Sequence, residues 1–122
     1  HLLKGPLAGP LFENFCIAET IKLFFNRGRR ENLFYLRTNN NLEVDLLIEE
    51  SFETVMPVEI KLNQTPNMLM GSNITRFKEL FSKLKISDGR ILSLTEKSIL
   101  LSRNISAVTL DDYLKQVAKG IG

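Results

Sequence analysis

With one histidine, one cysteine and no tryptophan, this 122-residue sequence has little of the side-chain chemistry on which many enzymes rely. A lone Cys16 excludes a disulfide framework and a cysteine-rich zinc site. A lone histidine, at position 1, excludes histidine metal clusters and argues against a Ser-His or Cys-His catalytic unit. Charge of one sign is scarce too: 16 Lys and Arg against 14 Asp and Glu give a net +2, too even to name a partner. No apolar run approaches the roughly 20 residues of a membrane helix. The richest stretch, residues 12–25, is broken by Glu13, Glu19 and Lys22. The expected setting is therefore reducing and cytoplasmic, with no membrane partner. Without a P-loop, nucleotide hydrolysis is excluded from this chain. What is present is ordinary globular material, 43% hydrophobic and 25% charged, enough for one domain.

Residues 1–10 carry two Gly and two Pro and begin with His1 rather than methionine, which reads as a linker or a tag remnant. A single domain is expected over residues 11–122. Pro10 suits a helix start, predicting a helix over 11–26 that Gly28 stops. Residues 33–38 read as a strand and Asn39-Asn40-Asn41 as a turn. Residues 42–48 alternate as a second strand of a hairpin. A third strand spans 54–62, with Pro57 arguing for a sheet edge or a bulge. Ser72 is placed to cap a helix over 72–85 with Ile74, Phe77, Phe81 and Leu84 as its apolar stripe. Strands follow at 90–95, 98–102 and 106–108, and Thr109 caps a last helix over 110–119. Phe12, Phe15, Phe24, Phe25, Phe77 and Phe81 are expected in the core, as is Cys16. The order α-β-β-β-α-β, with a β and α extension, gives an α/β fold: a mixed central sheet flanked by helices.

Strict alternation puts Leu42, Val44, Leu46 and Ile48 on one face of the second strand and Glu43, Asp45 and Leu47 on the other. In the third strand Glu59 and Lys61 share a face. If the two strands pair with matched faces, Asp45 and Glu59 meet with Lys61 beside them. Two carboxylates at strand spacing repel unless a cation or proton lies between them, and magnesium, a hard ion, suits such oxygens. About one acid-x-Lys triplet is expected by chance in this composition, so Glu59-Ile60-Lys61 gains weight only from its place on a strand following Asp45. On the first helix, Glu13 shares a stripe with Ile17, Thr20 and Phe24 and looks toward the sheet, whereas Glu19 groups with Lys22. Two plainer roles stay open: Glu13 as an acid favouring the helix dipole, and Asp45 and Glu59 as metal-free partners of Lys61 or Arg37.

Four short stretches occur in order: Gly9-Pro10-Leu11-Phe12-Glu13, Tyr35-Leu36-Arg37-Thr38, Glu43-Val44-Asp45 and Glu59-Ile60-Lys61. Together they resemble the PD-(D/E)XK nuclease-like superfamily, whose restriction-endonuclease-like core has the α-β-β-β-α-β order. The closer resemblance is to an uncharacterised domain that follows the AAA+ ATPase module in archaeal and bacterial proteins, and it covers residues 7–114. Val44 stands where the superfamily pattern has proline.

The resemblance implies a C-terminal part of a longer AAA+ ATPase chain. It implies Mg2+ or Mn2+ held by Asp45, Glu59 and the Ile60 carbonyl, Lys61 positioning water and steadying phosphate, and Glu13 joining through water or metal. The reaction would be phosphodiester hydrolysis in DNA, or less often RNA. Arg37 and Gln64, with Asn63 and Thr65, would meet phosphate. Arg27, Arg29 and Arg30 would meet the nucleic-acid backbone, or else cap the helix they follow. The alternative is a catalytically inactive module of the same fold that binds DNA or a protein partner and regulates the ATPase.

Overall fold

The computed structural model describes residues 4–30, 32–63 and 65–122. Its elements run α1 (Ala8–Asn26), β1 (Leu33–Arg37), β2 (Glu43–Glu49), β3 (Thr54–Ile60), α2 (Ser72–Leu80), β4 (Lys85–Ile86), β5 (Gly89–Leu92), β6 (Ile99–Ser102), β7 (Ile105–Val108) and α3 (Leu110–Ile121). The strands form one mixed sheet in the order β1-β2-β3-β5-β7-β6, with β4 paired to β3. The β1-β2-β3 meander is antiparallel. The β3-β5-β7 pairs are parallel, and β6 closes the far edge antiparallel to β7. The expected α/β class and the α-β-β-β-α-β order are both found.

The helices cover both faces. Phe12, Cys16 and Phe24 of α1 and Tyr113, Val117 and Ile121 of α3 bury the face carrying Leu46, Ile48, Met56, Val58, Ile60, Leu92 and Val108. On the other side, Phe77 of α2 packs with Leu42, Val44 and Leu47. Its neighbour Ile74 meets Ile91 and Ile105. No described helix is long and apolar enough to cross a membrane.

Several boundaries depart from expectation. Helix α1 begins at Ala8, so Ala8, Gly9 and Pro10 belong to its first turn rather than to a linker. The first four N–H groups of a helix have no internal acceptor, so Pro10 loses no bond there. At the other end Gly28, at φ 64°, supplies the left-handed residue that ends the helix. Helix α2 stops at Leu80, and Lys85–Ile86 forms a short strand instead of its last turn. Ser72 lies inside α2 and makes no cap bond. Thr109 does cap α3: its side chain accepts from the Asp112 N–H at 3.1 Å. Strand β3 is interior rather than an edge. Its parallel partners are β4 at Thr54 and Val55 and β5 from Val58 onward, and Pro57 falls in the gap between them. A residue without an N–H is tolerated where no parallel partner needs one.

Phe15 and Phe25 are not core: they are 52% and 79% exposed. Helix α1 is apolar nearly all round, so its periodicity does not select the buried side. Packing against β2, β3 and α3 does. Cys16 is fully buried, and burial pushes its thiol up to about 12. It behaves as the small buried hydrophobe expected.

Candidate functional site

Between β1 and β2 the register passes from Phe34↔Leu47 to Leu36↔Val44, two residues against three. Strand β2 therefore carries a β-bulge between Val44 and Leu47, and its alternation breaks there. Leu42 and Val44 join Leu47 under α2, whereas Leu46 and Ile48 point into the α1–α3 core. The expectation of one shared face for Leu42, Val44, Leu46 and Ile48 is corrected accordingly. Strict alternation holds only where the ladder is regular.

Asp45 sits in that bulge. The β2–β3 ladder ends at Leu46↔Val58. Beyond it, each strand's carboxylate takes the other strand's backbone donor. The Ile60 N–H donates to Asp45 Oδ2 at 2.8 Å, and the Asp45 N–H donates to Glu59 Oε1 at 3.2 Å. Two acids thus hold the strands together where carbonyl acceptors would ordinarily do so.

Glu59 is 2% exposed, and Lys61 Nζ lies 3.7 Å from its Oε2. Burial first, then the charge of Asp45, pushes the Glu59 carboxyl up to about 7, while the Asp45 N–H and Lys61 pull the other way. Glu13, half-buried on α1, is also raised, by desolvation and then by Asp45, with Lys61 opposing. Glu13, Asp45, Glu59 and Lys61 therefore share one electrostatic neighbourhood at the meeting of α1, β2 and β3. Glu19 is turned away and pairs with Lys22 at 2.7 Å.

Among the described residues no three His, Cys, Asp or Glu side chains come close enough together to form a metal-binding group. Glu13 acts on the site through its charge rather than as a third adjacent ligand. The donor set is two carboxylates on neighbouring strands, one of them buried at a cost that a divalent cation would offset. Magnesium commonly takes one or two carboxylates and fills its remaining positions with water and phosphate, so these residues fit it.

The other expected residues are placed less favourably for nucleic acid. Arg37 pairs with Glu43 at 3.3 Å. Arg29 donates through Nη1 to the Ile121 carbonyl, so it caps α3 rather than the helix it follows. Arg27 and Arg30 are exposed. Asn63 Oδ1 accepts from the Thr65 N–H at 2.7 Å, closing a local turn. Gln64 lies outside the described residues.

Two residues at the site escaped the sequence reading. The Tyr35 phenol is raised by local desolvation and by Glu43, with a smaller contribution from Asp45, which puts it beside Glu43 at the margin of the site. Ser93 is 2% exposed, and its Oγ has no hydrogen-bond partner among the described residues. It follows Leu92, the register partner of Ile60, and so lies beside Lys61 in the sheet. The aromatic before Arg37 was the available signal for Tyr35. A serine ending an apolar strand gave none.

A family model described as a domain of unknown function, DUF4143, matches residues 8–113. The chain belongs to the DUF4143 family. The matched span contains Glu13, Asp45, Glu59 and Lys61, and it begins at the first residue of α1. No curated protein and no solved structure matches the chain.

Proposed function

We propose that this DUF4143 domain is a PD-(D/E)XK-like, magnesium-dependent nuclease module that hydrolyses phosphodiester bonds in DNA as part of an AAA+ ATPase chain. The observation that carries the reading is the Asp45–Glu59 exchange at the end of the β2–β3 ladder, with Lys61 3.7 Å from Glu59. A buried carboxyl raised to about 7 beside a second acid and a lysine is the kind of cluster that active sites build.

Asp45 and Glu59, with the Ile60 carbonyl, would hold the ion. Bound there, the ion would supply Lewis-acid polarisation of phosphate and a more acidic water. Lys61 contributes a compact positive charge to an incoming phosphate or to the attacking water. Glu13, raised by burial and by the charge of Asp45, would join the site from α1 through water. The Ile60 N–H fixes Asp45 in orientation, because one of its oxygens is already committed.

The test is calorimetric titration of Mg2+ or Mn2+ into wild type and Asp45→Ala, alongside cleavage of a DNA duplex. Saturable uptake and cleavage by wild type, both lost in the variant, support the reading. Equal, negligible uptake by both proteins refutes it.

A second reading is a catalytically silent module of the same fold that binds DNA or a protein and regulates the ATPase. It is favoured by the commitment of Arg37 to Glu43 and of Arg29 to Ile121, which leaves a small basic footprint. Undiminished cellular activity of the intact parent carrying Glu59→Gln would select it over the first.

A further inference from the structure

Helix α1 has two apolar sides, and only one is used by the fold. The solvent side carries Leu11 at 48% exposure, Phe15 at 52%, Ile21 at 38% and Phe25 at 79%, with exposed Ala18 between them. Their spacing is symmetric. Counted from Ala18, Leu11 and Phe25 stand seven positions away on either side, and Phe15 and Ile21 stand three away. At 100° per residue all five fall on one stripe of the helix.

A stripe with that symmetry complements itself. When two such helices face each other antiparallel about a two-fold axis through Ala18, Leu11 of one lies level with Phe25 of the other. Phe15 lies level with Ile21, and the small Ala18 side chains meet where the backbones approach most closely. An isologous interface requires this pairing of residue i with j and j with i, whereas a different partner requires no internal symmetry at all. Charge does not oppose it. Lys22 lies four positions after Ala18, level with the neutral Asn14 of the second helix, and its ammonium is already paired with Glu19 at 2.7 Å.

Taking about 200 Å² for a large side chain in full exposure, the stripe offers roughly 400–500 Å² per copy. That is more than half of the ~800 Å² per partner of a standard stable interface. It lies within the ~300–600 Å² of the largest apolar patch on a typical monomer, a patch that is often functional.

We propose that the outer face of α1 is a homodimer interface, with a second copy of this chain packed antiparallel across Ala18. The face is opposite the buried side of α1 that holds Phe12, Cys16 and Thr20, so dimerisation leaves the fold of each subunit unchanged.

Light scattering and disulfide trapping test it on the whole chain. Wild type is expected to shift with concentration toward twice the 13.9 kDa monomer mass. Phe25→Lys, at a well exposed position, is expected to weaken association by at least about tenfold. Ala18→Cys places two thiols on the axis and is expected to form a self-disulfide dimer rapidly on oxidation. Asp111→Cys, exposed on α3, serves as the random-collision control, and the buried Cys16 does not compete. Unchanged thermal melting of each variant shows that the fold is intact. A wild-type monomer mass at high micromolar concentration overturns the proposal, as does Ala18→Cys cross-linking no faster than Asp111→Cys. Monomeric wild type that instead binds anionic phospholipid vesicles, or a separately supplied ATPase module of the parent, also overturns it and reassigns the stripe to that occupant.

Discussion

The Tyr113 hydroxyl lies 2.7 Å from Thr20 Oγ1, and Thr20 Oγ1 donates to the Cys16 carbonyl at 2.8 Å. A carbonyl can only accept, so the Thr20 proton is committed to it and the Tyr113 O–H must be the donor in the first contact. This directional chain fastens α3 to α1 inside the core, about two helical turns from Glu13. The position of the helix acid relative to the strand carboxylates therefore depends in part on Tyr113, far from the site in sequence, acting through Thr20.

The two ends of that bond are not equivalent. Tyr113→Phe removes a donor and leaves Thr20 still bonded to Cys16, at an expected cost of about 1 kcal/mol. Thr20→Val keeps the shape but strands a buried phenol, at an expected cost of about 2–3 kcal/mol. Thermal or urea unfolding of the two variants measures both. Equal losses would mean that the direction assigned to the bond is wrong.

Stability should fall as pH rises through the neutral range. The Glu59 carboxyl titrates near 4.5 when unfolded and at about 7 when folded. Between those values the folded state binds the extra proton, so its contribution is complete below pH 4.5 and is lost as pH climbs through 7. Glu13 adds in the same direction. The loss amounts to at most about 3 kcal/mol. Glu59→Gln should flatten the slope and be more stable than wild type at pH 8. Urea denaturation at pH 5 and pH 8 gives the comparison, and a wild type more stable at pH 8 contradicts it.

The four site residues should respond to one another with opposite signs. Asp45 raises both Glu59 and Glu13, and Lys61 lowers both. Asp45→Asn should therefore bring both glutamates down, and Lys61→Met should drive both up. Carbon-detected NMR titration of the two side-chain carboxyls follows each separately. A Glu13 that ignores both substitutions does not belong to the site.

Gly89 opens β5 with no room for a side chain. A methyl group there would meet Ile74 Cγ2 at 2.5 Å. Ile74 is fully buried and β-branched, so it cannot swing aside cheaply. Gly89→Ala should cost about 1–3 kcal/mol by overpacking. Gly120→Ala should be milder, because the group its methyl would meet is the flexible end of Glu50. Melting temperatures of the two variants rank them.

What the sequence by itself determined was local. Hydrophobic period, turn residues and caps placed the three helices and every strand but Lys85–Ile86 in order, and Thr109, Gly28 and the buried Cys16 behave as their chemistry dictates. The acids at 13, 45 and 59 and the lysine at 61 also stand out from their positions on those elements. Tertiary structure decided the rest, because each remaining question depends on partners distant along the chain. The β2 bulge exists only in the pairing with β1, so alternation could not reveal that Val44 and Leu46 part company at Asp45. The buried side of α1 is chosen by Tyr113, Val117 and the sheet, because a helix apolar all round carries no preference of its own. Arg29 reaches α3 rather than a phosphate or its own helix because the chain's last helix ends beside it. Burial of Glu59, from which its unusual acidity follows, arises when β2, β3 and β5 close around one carboxylate.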